Sequence, residues 1–198
     1  LPYEMSTDAL TQLILMIAQQ LTYGRIRAHH QSYDMRHFRA GRTETIRPVT
    51  LEATNFVTNL VRDNATVEQL QAALTAHSEW VEAAAGGKAF ERHFFMLQHI
   101  GTELGGANAP LFTKHTEALE NFITISTAGG SDAFVRAVAA PSVEHGFHIH
   151  YTPIVGGTEF LVTWIEGTPQ AEALYRNLQP AAELLYDFIA TIAPVHSA

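Results

Sequence analysis

The chain has 198 residues, of which 46% are hydrophobic and 16% are charged. This length and composition fit one folded domain or one lobe of a larger protein, and they exclude an intrinsically disordered chain. Twelve lysine and arginine residues against twenty aspartate and glutamate residues give a net charge of −8. Because no basic run interrupts this acidic balance, we expect no nucleic-acid partner.

The chain contains no cysteine, which excludes disulfides, thiolate nucleophiles and cysteine-ligated zinc. We therefore expect an intracellular, cytoplasmic protein, with an organelle left open as the alternative. The longest strongly apolar stretch, residues 13–18, is far shorter than the roughly 20 residues of a membrane span, so we expect no such span. The first residue is not methionine, and we expect the chain to be a piece of a longer protein.

Helices are predicted for most of the first half of the chain. A capping cluster at Ser6 and Thr7 precedes apolar residues at helical spacing, which predicts a helix that ends at Gly24. The stretch 25–42 is polar and mixed, and we interpret it as a loop with short extended pieces, whereas residues 45–50 favour a strand. Further helices are predicted at 51–62, 67–84 and 88–104.

The second half of the chain changes to a strand pattern. Strands are predicted at 122–125, 146–151 and 160–165. Alternation along the second of them puts His148 and His150 on one side. A helix over 168–192, bent at Pro180, closes the chain. This order of elements predicts an α/β fold with a mixed β-sheet covered by helices.

Searches for phosphate-binding, dinucleotide, nucleophile-elbow and zinc-protease motifs find nothing in this sequence. His29, His30 and Asp34 fit a His-His-x-x-x-Asp pattern in which the second histidine acts as a general base, although Met35 stands where glycine normally follows. A substrate contact or a simple surface loop are the alternative interpretations of this segment.

Three further groups of residues would bind a ligand or stabilise a reacting group only if the fold places suitable partners beside them. The histidines around residue 148 could bind a metal ion, but a polar strand face is the commoner explanation, and we predict no metal site. Arg92 could clamp a carboxylate if its guanidinium is buried, or it could form an internal ion pair with Glu91 or Glu103. Ser126 and Thr127, at the end of a buried strand, could donate to an oxyanion or simply cap that strand.

Several segments, in order along nearly the whole chain, resemble motifs of the carnitine/choline acyltransferase family. The most specific is FRAGRTETIR, residues 38–47, which is similar to that family's F-x-x-G-R-T-(D/E)-x-I-R element. The others are DALTQ at 8–12, GKAFERHF at 87–94, IST at 125–127 and GFHIHYTP at 146–153, the last resembling G-Y-G-x-x-Y-N-P.

This resemblance implies an acyltransferase built from two chloramphenicol-acetyltransferase-like lobes around a tunnel. A histidine removes the proton of an alcohol, which then attacks a thioester. Residues 1–198 would form a single lobe, the C-terminal portion, and the lobe with the catalytic histidine would precede it. The donor would be acyl-CoA or acyl-phosphopantetheine on an acyl carrier protein, the acceptor an alcohol or polyol, and no cofactor would be bound covalently.

The resemblance also implies roles for individual residues. Thr43 and Arg92 match positions that hold the carboxylate of carnitine in a dry pocket, and Arg47 matches an arginine that supports the catalytic base. Ser126 matches the first serine of the Ser-Thr-Ser motif and would support the oxyanion or the acceptor. The remaining expected contacts are His30 and Thr127 on the acceptor side, and Asp8 and Ser32 beside the pantetheine arm.

Departures from the family pattern shape the functional prediction. His30 replaces a tyrosine, Ala128 replaces the second serine, and residues 138–140 are Val-Ala-Ala where an aromatic wall faces the trimethylammonium group. Leu1 and Glu4 stand where lysines meet CoA phosphates. We therefore predict release of a polyketide onto a polyol, as in the acyltransferase domains of some fungal highly reducing polyketide synthases. The alternatives are a short-chain carnitine O-acyltransferase that uses CoA and a non-catalytic interaction lobe.

Overall fold

A computed structural model describes residues 5–105, 120–128 and 136–192 of the chain. Leu1 and Glu4 lie outside these residues. The chain divides into two compact units. The first comprises Leu1–Arg27, Val49–Ser78 and Thr168–Ala198, and the second comprises Ala28–Pro48 and Glu79–Gly167.

The described residues form helices and strands in an order close to the predicted one. The helices are α1 Thr7–Tyr23, α2 Leu51–Val61, α3 Val67–Ala85, α4 Glu91–Glu103, α5 Ala171–Arg176 and α6 Leu178–Ile192. The strands are β1 His29–Asp34, β2 Thr43–Ile46, β3 Ile123–Ser126, β4 Phe147–Ile154 and β5 Gly157–Trp164. Among the helices of the described residues, none combines the length and the apolar character that a membrane span requires.

The first unit is built from helices whose ends follow local capping rules. The Ser6 hydroxyl accepts a hydrogen bond from the backbone N–H of Ala9 at 3.0 Å, and the Thr50 hydroxyl accepts one from Ala53 at 3.1 Å. Gly24, with φ +67°, ends α1 in the left-handed conformation that favours glycine. These contacts confirm the predicted starts of α1 and α2 and the predicted end of α1.

The closing helix is interrupted three residues earlier than predicted. The break lies at Asn177, between α5 and α6. The side-chain amide of Asn177 donates to the Thr22 hydroxyl at 2.9 Å. Pro180 falls in the first turn of α6, where a backbone N–H has no helical partner and proline is tolerated. The predicted bend at Pro180 is therefore wrong.

The second unit contains a five-stranded sheet in the order β2-β1-β3-β4-β5. Strands β1, β3 and β4 are parallel, and the two edge strands pair antiparallel to their neighbours. This mixed sheet, together with the helices, confirms the predicted α/β class. The stretch 25–42, expected to be a loop with short extended pieces, contains the six-residue strand β1, which pairs with a strand on each side even though most of its residues are polar.

The two faces of this sheet differ in character because residues opposite each other in neighbouring strands point the same way. One face, called the apolar face here, carries buried aliphatic and aromatic side chains: Ile46, Ile123, Ile125, Phe147 and Ile149. The other, the polar face, carries hydroxyls and imidazoles from four adjacent strands: Thr43, Thr45, His30, Ser32, Thr124, Ser126, His148 and His150. The candidate functional residues of the second unit, His30, Ser32, Thr43 and Ser126 among them, lie on and beside the polar face.

Candidate functional site

A serine between two imidazoles lies where β3 and β4 pair. The Ser126 Oγ is 3.1 Å from Nε2 of His148 and 2.9 Å from Nδ1 of His150. Both histidines are buried, and burial lowers the pKa of each, with the neighbouring His150 lowering that of His148 further. The two rings are therefore neutral at pH 7. Each neutral ring offers one N–H donor and one lone pair.

Arg47 forms a buried clamp directly after β2. Its Nε donates to Oε2 of Glu91 at 2.6 Å, and one terminal nitrogen donates to the backbone carbonyls of His29 at 3.2 Å and Glu120 at 3.4 Å. Arg47 thereby joins the start of β1, the start of α4 and the residues before β3. An ion pair of Glu91 with Arg92 was one of the predicted alternatives. In the structure Glu91 pairs with Arg47 instead.

Arg92 and Thr43 meet at the edge strand, in contact with solvent. A terminal nitrogen of Arg92 donates to the Thr43 hydroxyl at 3.0 Å, and its Nε lies 4.0 Å from Oε1 of Glu44. The Arg92 side chain is 57% exposed. In this lobe the guanidinium is not buried, because the second residue of α4 reaches β2 along the surface. A dry pocket for a carboxylate at Thr43 and Arg92 stays a prediction.

A cavity of about 600 Å³ lies beside this edge and brings together three of the predicted site residues, Ser32, Thr43 and Thr127. Ala128, which stands in the place of the family's second serine, also lines it. So does Gly41, where a Cβ atom would collide with the carbonyl oxygen of Met35. The glycine of the FRAGRTETIR segment is thus required by the tight path of the chain between β1 and β2.

The two adjacent histidines of β1 have different surroundings. His29 is fully buried, and burial followed by the charge of Arg47 lowers its pKa to about 3. His30 is half-buried, its Nε2 is 3.4 Å from the Thr45 hydroxyl, and burial and Arg47 also lower its pKa. Its Nδ1 is buried without a hydrogen-bond partner.

The aspartate of the His-His-x-x-x-Asp pattern does not orient His30. The Asp34 carboxylate accepts three side-chain hydrogen bonds from Arg36 at 2.7–2.9 Å, and these bonds lower its pKa to about 2. A general base needs a partner that holds its ring in place. The described contacts of His30 and Asp34 do not form that pair, so the hypothesis of His30 as a base has no support.

Asp8, predicted beside the pantetheine arm, belongs to the first unit. Its Oδ2 is 2.9 Å from Nε2 of the buried His77. Ser32, assigned the same role, belongs to the second unit and lines the cavity. The shared role of these two residues stays a prediction.

The imidazoles near residue 148 do not gather a third ligand. Within residues 5–105, 120–128 and 136–192, no group of three histidine, aspartate or glutamate side chains is arranged to hold a metal ion. The contact of His148 and His150 with Ser126 was not anticipated from the sequence. Alternation places both rings on one face, but the pairing of β4 with β3, which brings them to Ser126, depends on contacts distant in sequence.

Comparison with known proteins identifies the family. A family model described as "Choline/Carnitine o-acyltransferase" matches residues 2–179. Carnitine O-acetyltransferase of Mus musculus is 29% identical over 81% of this chain and 26% of its own length. The mitochondrial carnitine O-palmitoyltransferase 2 of Rattus norvegicus is 32% identical over 75% of this chain and 24% of its own. Choline O-acetyltransferase of Mus musculus is 25% identical over 85% of this chain and 28% of its own length.

The chain thus spans about a quarter of the length of these curated relatives. The matched region contains each of the motifs that carry the resemblance, from residue 8 to residue 153. The chain belongs to the choline/carnitine O-acyltransferase family.

Proposed function

We propose that this chain is the acceptor-side lobe of an acyltransferase that moves an acyl group from a pantetheine thioester to an alcohol. The family match over residues 2–179 carries this proposal, and the relatives named above are acyltransferases of carnitine or choline. The donor is acyl-CoA or an acyl-phosphopantetheine on a carrier protein. The catalytic histidine belongs to a preceding lobe outside this chain.

In the proposed reaction, that histidine removes the proton of the acceptor hydroxyl. The alcohol oxygen attacks the thioester carbonyl, the C–O bond forms, the C–S bond breaks, and the thiolate takes the proton back from the histidine. Ser126 donates to the oxygen that gains charge, since its own hydroxyl proton is free whenever both neighbouring rings donate to it. Arg47, clamped to Glu91, acts as a positioning residue for the base.

The favoured acceptor is a neutral polyol, onto which a polyketide is released from its carrier protein. Hydroxyls of Ser32, Thr43 and Thr127 line the cavity next to Ser126. Residues 138–140 are exposed and aliphatic, so they offer no aromatic face to a trimethylammonium group. Both observations favour an uncharged acceptor with several hydroxyls.

A short-chain carnitine O-acyltransferase that uses CoA is the second candidate. The contact between Arg92 and Thr43 at 3.0 Å favours it, because a guanidinium beside a hydroxyl suits a carboxylate. Solvent weakens this attraction at an arginine that is 57% exposed.

The deciding experiment offers the full-length protein that contains this chain two donors, an acyl-CoA and the same acyl group on pantetheine, with either carnitine or sorbitol as acceptor. We expect comparable rates with both donors and a higher kcat/KM for sorbitol. Faster transfer to carnitine with a clear preference for CoA would establish the second candidate. No transfer to any alcohol would overturn both and favour a non-catalytic interaction lobe.

The variant Arg92→Ala separates the two candidates further. Removing the guanidinium should raise the KM of carnitine by about tenfold or more if a carboxylate binds there, and should leave the KM of sorbitol within about twofold. Arg176→Ala is the matched control, because Arg176 is an exposed arginine paired with Glu172 in the first unit.

A further inference from the structure

Three unpartnered imidazole nitrogens share the polar face of the sheet. They are Nδ1 of His30, Nδ1 of His148 and Nε2 of His150, each buried without a hydrogen-bond partner in the described structure. A buried polar atom without a partner costs about 1–3 kcal/mol. Three such atoms on one face therefore indicate a site shaped for a ligand that supplies the missing hydrogen bonds.

The chemistry of that ligand follows from counting protons at Ser126. Its hydroxyl contacts Nε2 of His148 and Nδ1 of His150. If both rings donate to Ser126, their remaining nitrogens are two acceptors. If Ser126 donates to one ring instead, the remaining nitrogens are one donor and one acceptor. A hydroxyl group both donates and accepts, so it satisfies every assignment, whereas a quaternary ammonium group satisfies none.

The spacing calls for more than one hydroxyl. His30, Thr124 and His148 are opposite one another on three adjacent strands. Adjacent strands lie about 4.8 Å apart, so His30 and His148 stand about 10 Å apart. A molecule that meets both must carry hydroxyls along a chain or ring of several carbon atoms.

The 600 Å³ cavity begins just beyond Ser126. Ser126 is half-buried, and the next two residues, Thr127 and Ala128, line the cavity, whereas His30, His148 and His150 do not. The Thr163 hydroxyl donates to the backbone carbonyls of Ala139 at 2.7 Å and His148 at 3.2 Å. Ala139 thus lies beside the backbone of His148.

The sequence pattern points to the same site. His148 occupies the place of the second glycine in the G-Y-G-x-x-Y-N-P pattern that residues 146–153 resemble. An imidazole there brings a polar ring to a position where the pattern has no side chain. Separately, residues 138–140 are Val-Ala-Ala where the family has an aromatic wall.

We propose that Ser126, His148 and His150, together with His30, bind the hydroxyl groups of an uncharged polyhydroxylated acceptor, which is the alcohol of the proposed function. His148 and His150 are specificity-determining residues that favour neutral polyols over quaternary ammonium alcohols. The hydroxyls of the acceptor supply the hydrogen-bond partners that the buried nitrogens lack.

Two conservative variants test this site without breaking its link to Ser126. His148→Gln keeps an amide nitrogen in the place of Nε2 and removes Nδ1. His150→Asn keeps an amide atom in the place of Nδ1 and removes Nε2. The matched control is His145→Gln, since His145 is an exposed histidine just before β4.

The experiment measures binding of sorbitol and of choline to the full-length protein by ligand-observed NMR titration, with thermal unfolding as the check on folding. We expect each of the two variants to raise the Kd of sorbitol about three- to tenfold, as for loss of one hydrogen bond, with choline unaffected and the control unchanged. Retained sorbitol affinity in both variants, equal weakening in the control, or a preference of the unmodified protein for choline would overturn the proposal.

Acyl transfer by the same proteins separates this site from the reaction. If the unmodified protein transfers acyl groups but its sorbitol affinity is unmoved by both variants, the acyltransferase function stands and the imidazole site is wrong. If the variants lose sorbitol binding but no preparation transfers an acyl group, the site stands and the acyltransferase function is wrong.

Discussion

The two faces of the sheet are made by alternate residues of the same five strands, yet they carry opposite chemistry. The apolar face packs Phe147 and Ile149 with no exposed surface, whereas the polar face leaves three imidazole nitrogens buried without partners. One face contributes hydrophobic stabilisation, and the other accepts a cost in stability. Strands β3 and β4 therefore stabilise the fold through one face and present hydrogen-bonding groups on the other.

The largest expected effect is on the apolar face. Phe147→Ala should lower the free energy of unfolding by about 3–5 kcal/mol, because it removes a fully buried ring and leaves a cavity. The lost ring also packs edge-to-face on Phe122, with centroids 5.5 Å apart. Chemical denaturation measures the change. Ile154→Ala, at an exposed position of the same strand, is the control, and equal losses in both would contradict the comparison.

A smaller but still large effect is expected at Arg47, which shows that residues beside the polar face also support the fold. Arg47→Met should cost about 3 kcal/mol, because the Glu91 carboxylate and two carbonyls lose their partner in a mostly buried place. Adding Glu91→Gln should recover part of this loss, which a double-mutant cycle by denaturant unfolding would detect. Additive losses would show that the ion pair is energetically irrelevant.

An intermediate effect is expected for the pH dependence of stability. His29 lies opposite Ile123, so its imidazole is on the apolar face of the sheet. The folded pKa of His29 is about 3, below its ordinary value of 6.5. Between these values the unfolded chain binds more protons than the folded one, so stability is full above pH 6.5 and falls as the pH drops toward 3.

His29→Gln should flatten this slope by up to about 1.4 kcal/mol per pH unit, the limit for one proton. Denaturant unfolding between pH 4 and pH 8 measures it. His30, His148 and His150 also have lowered pKa values and leave a residual slope in the same direction. An unchanged slope in the variant would show that His29 does not resist protonation in the folded protein.

The smallest effect is expected at the exposed edge. Arg92→Ala should change the free energy of unfolding by less than about 0.5 kcal/mol, because the Arg92 side chain is 57% exposed and its Nε is 4.0 Å from the Glu44 carboxylate. That buried carboxylate keeps its hydrogen bond from the backbone N–H of Thr45 at 2.8 Å. The same denaturation experiment as for Arg47 provides a direct contrast between the two arginines. If Arg92→Ala lowered the free energy of unfolding as much as Arg47→Met, exposure of the side chain would not explain the difference expected between these two arginines.

Local signals predicted the helices well and the site only in part. Ser6 identifies the start of α1 because capping involves neighbours three residues away. The sequence did not locate strand β1 within its mostly polar stretch, because the backbone of β1 pairs with β3, a strand distant in sequence. The pairing of Arg47 with Glu91 spans 44 residues and follows from no local rule.

The family resemblance indicated candidate site residues but not their environment. It marked Thr43, Arg92 and Ser126 as functional, and the structure brings the first two into contact. The exposure of Arg92 and the imidazoles around Ser126 depend on how α4 and β4 lie against their neighbours. Those positions depend on packing along the whole chain, which a motif of ten residues does not encode.

The position of the cavity relative to the hydrogen-bonded ladder has one more consequence. Thr127 and Ala128 follow Ser126, which is the last residue of β3 that pairs with β4, and both line the cavity. Residues beyond the last paired residue of a strand can be exchanged with little disturbance to strand pairing. The lining of the cavity at Thr127 and Ala128 can therefore be altered by evolution or a protein engineer while the strands beneath it stay the same.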